Sequence, residues 1–143
     1  MAINYTGSRQ KAQEAVKEVV AKGGKAVAIQ ADVSKPAEVQ RLFDEAQKAL
    51  GPLDIVVANA GVYLSKPLIE STEDDYDHVF DINTRGVFFM LQEAARRVRD
   101  GGRIIFPPAA RSSPSLIIRY TSAARRQWSN SPVRFPVSWV RAV

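Results

Sequence analysis

No cysteine occurs in the 143 residues. Disulfides, thiolate metal sites and cysteine nucleophiles are excluded, and the composition fits a reducing cytoplasm. Histidine is reduced to His78 alone, too little for a His-based zinc site or a Ser-His-Asp triad. No apolar run approaches the roughly 20 residues that a membrane-spanning helix needs. Met1-Ala2-Ile3-Asn4-Tyr5 has neither a basic segment nor a long apolar stretch, so the expectation is a cytoplasmic chain without signal peptide or membrane anchor. Lysine stops at Lys66 and acids stop at Asp100.

That last absence divides the chain. Residues 103–143 carry Arg103, Arg111, Arg119, Arg125, Arg126, Arg134 and Arg141, with no acid. Seven of the 20 bases fall there, which leaves 13 bases against all 15 acids in the first 102 residues. The net charge of +5 therefore describes two unlike parts. A basic tail can be a nucleic-acid arm. Here the arginines are scattered among prolines and serines, without helical spacing or an interleaved aromatic ladder, which argues against that use.

What is present reads as alternating strands and helices. Ile3-Asn4-Tyr5 ends a strand and Thr6-Gly7-Ser8 is turn chemistry. Ala12, Ala15, Val16, Val19 and Val20 recur at helical spacing until Gly23-Gly24. Ala26–Ile29 is a second apolar strand, running out at Asp32-Val33. Ser34 as N-cap and Pro36 in the first turn open a helix with the stripe Val39, Leu42, Phe43, Ala46, Leu50, closed by Gly51-Pro52. Ile55-Val56-Val57-Ala58 suits a strand covered on both faces. Thr72-x-x-Asp75 opens a long helix whose apolar face runs Tyr76, Val79, Phe80, Val87, Met90, Leu91, Ala94 and Val98, with Asn83 on the same face. Gly101-Gly102 breaks it, and Arg103-Ile104-Ile105-Phe106 is a further strand. The pattern predicts an α/β fold with a parallel sheet. Lys66-Pro67 reads as loop, and the acids Glu73, Asp74, Asp75 and Asp77 as a solvated first helical turn.

Four motifs stand in register on these elements: Asp32-Val33 after one strand, Asn59-Ala60-Gly61 after the next, Asn83-Thr84-Arg85-Gly86 within the long helix, and Gly102-Arg103-Ile104-Ile105 at the last strand. Together, over roughly residues 2–106, they resemble the short-chain dehydrogenase/reductase family. The resemblance implies a partial Rossmann-like, doubly wound parallel sheet over 1–106 and a basic, irregular tail over 107–143. It implies hydride transfer between a nicotinamide cofactor and a small carbonyl or alcohol, in the manner of a 3-oxoacyl reductase. Asp32 and Val33 would touch the adenine. Asn59, Ala60 and Gly61 would lie where open α/β sheets bind ligands, at the carboxyl end of a central strand. Ala58 replaces the first of the two asparagines usual in that motif. Asn83 would hold a water in a proton relay; the bland alternative is a helix polar group satisfied locally.

The turn after the first visible strand, Tyr5-Thr6-Gly7-Ser8-Arg9, has no acid for a ribose 2′-hydroxyl. Ser8 and Arg9 could instead hold a 2′-phosphate, which points to NADP(H), with NAD(H) the alternative. Equally, Ser8 could cap the helix and Arg9 be solvated.

The family's fold begins with a strand and a T-G-x-x-x-G-x-G turn that cradles pyrophosphate at a helix N-terminus; neither is found in these residues. That strand would lie between the first and third strands read here. Without it the sheet is expected either to keep a gap flanked by unpaired backbone or to close up with repacked helices. The family's Y-x-x-x-K is also not found: four residues after Tyr120 stands Ala124. The expectation is an oxidoreductase fragment that is inactive as written, with the family's homo-oligomer interface lost. The alternatives are a non-enzymatic protein whose tail binds nucleic acid, or a degraded gene product. Read one base out of frame, the codons of the tail allow Y-x-G-S-K-A-A-V-E-Q-F-T-R-T-L-S-R-E-L-G, the family's active-site segment. A frameshift is the explanation offered for residues 107–143, and the coding DNA tests it.

Overall fold

The computed structural model describes residues 1–105. Expectations on Phe106, Tyr120 and the rest of the tail lie outside the described residues.

The order is β1 (Ala2–Tyr5), α1 (Arg9–Ala21), β2 (Val27–Gln30), α2 (Pro36–Leu50), β3 (Leu53–Val57), a 3-10 turn (Leu68–Glu70), α3 (Glu73–Phe80), a π-helical segment (Asp81–Gly86), α4 (Val87–Arg97) and β4 (Val98–Ile105). β1 pairs in parallel with β2, and β3 in parallel with β4. No pairing joins the two halves among the described residues. β1-α1-β2 steps away from β3, and β2-α2-β3 steps back toward it. Right-handed crossovers in opposite directions place α1 and α2 on opposite faces, the doubly wound arrangement.

α2 ties the halves together. Its Leu42 and Ala46 pack with Ile29 and Ala31 of the β1–β2 half. Its Val39 and Phe43 pack with Val33, just past β2, and with Val56 and Ala94 of the β3–β4 half. Leu53 and Met90 lie against both clusters. With α2 in that position the two sheets do not close. A cleft of about 800 Å³ remains between them, floored by α2 and α4 residues and walled by β1 and β3. Of the two outcomes expected for the sheet, the open one is found among the described residues.

Several local readings need correction. The N-cap of α2 is Lys35, not Ser34. The Ser34 hydroxyl instead donates to Asp32 Oδ1 at 2.7 Å, so a local turn outcompetes the cap. The long helix is continuous only through the π segment between α3 and α4. Val98, read as the last residue of the apolar helical stripe, begins β4 opposite Leu53. The register then slips before Ile55 pairs with Arg103. Gly101, at φ +80°, provides the bend that lets this early start rejoin the strand.

Candidate functional site

Three loops meet at the carboxyl ends of the strands. Residues 6–9 follow β1, residues 31–35 follow β2, and residues 58–67 follow β3. The first two are stitched together. Asn4 Nδ2 donates to the Ala31 carbonyl at 2.9 Å, Thr6 Oγ1 reaches the same oxygen at 3.4 Å, and Gln30 Nε2 donates to the Thr6 carbonyl at 3.0 Å.

The third loop is held by Asn83. This side chain is only 2% exposed. Its Oδ1 accepts the Val62 N–H at 2.9 Å, and its Nδ2 donates to the Val62 carbonyl at 2.7 Å. One amide thus satisfies both backbone groups of one residue, just past Asn59-Ala60-Gly61. The wider π turn shifts the following residues around the helix axis relative to an α-helix. The partner of Asn83 is the backbone of Val62, 21 residues back along the chain, and not a neighbour on its own helix. Each end of the amide keeps one further valence, a lone pair on Oδ1 and a hydrogen on Nδ2.

The helix also meets the second loop. A Cβ on Gly86 would sit 2.9 Å from the Val33 carbonyl oxygen. Only glycine lets the helix approach that loop so closely. Val33, Asn59, Ala60 and Gly86 all line the cleft. Gly61, Ser8 and Arg9 lie outside the cleft lining and are exposed. Asp32 turns the other way, into a charged groove with Lys35, Glu38 and Arg41. Its carboxyl is held below its ordinary pKa, first by the Ser34 hydroxyl, with burial opposing. So Val33 and Asp32, adjacent in sequence, face two different concavities.

Ser8 caps α1 through its backbone, the Ala12 N–H donating to the Ser8 carbonyl at 3.1 Å, while its side chain makes no cap bond. The first turn of α1 has no acid. The Ser8 hydroxyl and Arg9 stand exposed at the N-terminus of α1.

Sequence reasoning missed three supports of the site: Val62, the Gly86–Val33 approach, and the pair Lys66–Asp75. Lys66 Nζ lies 2.6 Å from Asp75 Oδ2, which also accepts the Thr72 N–H at 2.9 Å. This lysine bond, then the backbone bond, lowers the Asp75 pKa from 3.8 to about 2. Asp75 is thus a capping and bridging group rather than a solvated one. The T-x-x-D spacing announced the capping box; nothing local announced a lysine nine residues earlier.

The family described as Enoyl-(Acyl carrier protein) reductase matches residues 1–114. A short-chain dehydrogenase/reductase of Pestalotiopsis microspora, GME11373, is 52% identical over 103 residues, 72% of this chain. The chain belongs to the short-chain dehydrogenase/reductase family. The hydroxynaphthalene reductase-like protein Arp2 of Metarhizium brunneum is 47% identical over 117 residues, covering 82% of this chain and 44% of Arp2. A solved short-chain dehydrogenase from Burkholderia cenocepacia J2315, in complex with NADP, superimposes with a TM-score of 0.80 at 36% identity, covering 89% of this chain and 53% of that one. The chain thus spans about half the length of the relatives it matches or less, 39% in the case of GME11373. The Rossmann-like α/β fold expected of an oxidoreductase of this family is the one found. The matched segment runs to residue 114, beyond Phe106, where the motif reading ends.

Proposed function

We propose that residues 1–105 form the nucleotide-side half of an NADP(H) site for a carbonyl reductase, and that the 143 residues alone do not turn over. The observation that carries this is the shared rim: the loops after β1, β2 and β3 are hydrogen-bonded or packed into one edge, and small residues line it. Ser8 and Arg9 would hold a 2′-phosphate, Val33 the adenine, and Asn59, Ala60 and Gly61 the ribose; Asp32, turned into the neighbouring groove, would instead steady the loop through its bonds to Ser34. When bound, the nicotinamide supplies the hydride. Asn83 would contribute its remaining valences to a relay water while it keeps Val62 and the adjoining loop in place. The name of Arp2 suggests a hydroxylated aromatic ketone as substrate class.

The inactivity rests on two sequence facts. No T-G-x-x-x-G-x-G turn is available to receive the pyrophosphate at a helix N-terminus, and no tyrosine has a lysine four residues on. A tyrosine without a neighbouring cation stays protonated at neutral pH and is no base.

NADPH fluorescence titration and a ketone-reduction assay on the purified 143-residue chain test both parts. The expected result is no saturable binding at micromolar NADPH and no oxidation of NADPH. Turnover of any ketone would overturn the proposal of inactivity. Any residual binding at millimolar NADPH is expected to fall with Arg9→Ala and to lose its preference over NADH; binding indifferent to Arg9 would remove the phosphate assignment.

A further inference from the structure

The ladder between β3 and β4 pairs Leu53 with Val98 and next Ile55 with Arg103. Arg99, Asp100, Gly101 and Gly102 therefore stand opposite Asp54 alone. Such bulges leave their extra residues unpaired. Within this one, Gly102 carries the contact with β3: a Cβ there would lie 2.5 Å from the Asp54 carbonyl oxygen. Gly101 faces open space instead, since a Cβ built on it would meet nothing within 4 Å. Asp100 and Gly101 are both exposed. The Asp100 carboxylate enters no ion pair or side-chain hydrogen bond among the described residues. Arg99, the adjacent cation, is bonded through Nε to Asp54 Oδ1.

An exposed, unpartnered aspartate followed by glycine carries its own chemistry. The Gly101 amide nitrogen can attack Cγ of Asp100 and close a five-membered ring. One C–N bond forms, and the amide proton leaves with a carboxyl oxygen as water. Water then opens the cyclic imide at either carbonyl. One opening restores aspartate. The other leaves the chain running through the side-chain carboxyl, as isoaspartate, with the α-carboxylate free. No oxidant, reductant or further reactant is consumed. Glycine has no side chain to shield its nitrogen, and its backbone turns freely enough for the ring to close. No other aspartate or asparagine of the sequence precedes a glycine. Asp54, across the bulge, precedes the β-branched Ile55 and is tied to Arg99.

We infer that Asp100–Gly101 is a self-modifying site, which converts to isoaspartate in the folded chain and so becomes a substrate for an isoaspartate-specific carboxyl methyltransferase. That enzyme moves the methyl group of S-adenosylmethionine to the freed α-carboxylate, giving a methyl ester and S-adenosylhomocysteine. Loss of methanol returns the ester to the imide. The bulge already sets four residues against one, so the added main-chain methylene disturbs no ladder pair. The inference does not depend on the NADP(H) reading: it needs neither a cofactor nor turnover.

The test ages the full chain at physiological temperature and mildly acidic pH. Methyl transfer from labelled S-adenosylmethionine by an isoaspartyl methyltransferase counts the product, and peptide mapping with electron-transfer fragmentation places it. Isoaspartate is expected at position 100, forming within tenfold of its rate in the capped peptide Val-Arg-Asp-Gly-Gly-Arg-Ile. Asp100→Glu, whose ring would have six members, should lose the label at this position. In amide hydrogen exchange on fresh chain, Gly101 should exchange at least tenfold faster than Ala58, after correction for neighbouring side chains. Ala58 donates to the Ile105 carbonyl at 2.9 Å and marks the paired ladder. Formation more than tenfold slower than in the peptide overturns the inference, because the fold then shields the site. So does label that maps elsewhere and persists in Asp100→Glu. A smaller difference in exchange between Gly101 and Ala58 also overturns it, since the bulge would then play no part.

Discussion

Asn83 shows how one polar side chain can set a loop. A leucine of similar size would leave the Val62 N–H and carbonyl without partners in a partly buried place. Each such loss costs about 1–3 kcal/mol. Asn83→Leu is expected to lower unfolding free energy by about 2–4 kcal/mol in urea titration. A change below about 0.5 kcal/mol would mean that the loop does not depend on this amide. Asp75 makes a prediction in pH. Its folded pKa, about 2, lies below its ordinary 3.8. Its stabilisation is therefore fully present above about pH 4 and is lost as pH falls toward 2. Asp75→Asn should destabilise the chain at neutral pH, and the gap between variant and parent should shrink between pH 4 and 2. A gap independent of pH would show that the charge on Asp75 contributes nothing. Of these two residues, the T-x-x-D spacing made Asp75 legible as a cap. The partner of Asn83 was not, because Val62 is 21 residues away and offers only backbone.

At the scale of elements, α4 and its π-helical lead-in decide how the second and third loops meet. A methyl on Gly86 would lie 2.9 Å from the Val33 carbonyl and 3.2 Å from the Asp81 carbonyl. Gly86→Ala is expected to cost about 1–3 kcal/mol through this overpacking, readable as a lowered Tm. An unchanged Tm would mean that the helix retreats freely from the loop. On the other side of α4, Glu93 is 3% exposed. It takes the Arg97 Nε at 2.7 Å and Arg96 at 2.8 Å. Arg97 continues to Asp44 on α2 and lies 5.8 Å over the Phe43 ring. Glu93→Ala should cost about 1–3 kcal/mol, less than an isolated buried charge pair, because Arg97 keeps Asp44. Stability equal to the parent would remove the network from the account. The helical periods of α1, α2 and α4 were plain in the sequence. The π segment was not, because Phe80, Asn83, Val87 and Met90 keep the three- and four-residue spacing of an α-helix straight through it. The early start of β4 was not legible either: Val98 fits a helical stripe and a strand equally well.

For the molecule as a whole, α2 is the member common to both halves. Phe43 sits in the cluster of the β3–β4 half, one residue from Leu42 in the other. Phe43→Ala is expected to cost about 3–5 kcal/mol, and to release amides of both β1–β2 and β3–β4 together in hydrogen exchange. Release of β3–β4 alone would show two independently stable halves.

Periodicity and glycine placement determined which segments are helix or strand, and the motif order determined the family, because both are local or one-dimensional signals. Tertiary structure alone decided that Asp32 and Val33 face different concavities, that Val62 satisfies Asn83, and that the two pairs of strands stay apart. Those outcomes depend on which surfaces meet across long sequence separations. The apolar face of α2 fills both clusters at once, and that bridging leaves the backbone of β1 and β3 turned toward an open cleft.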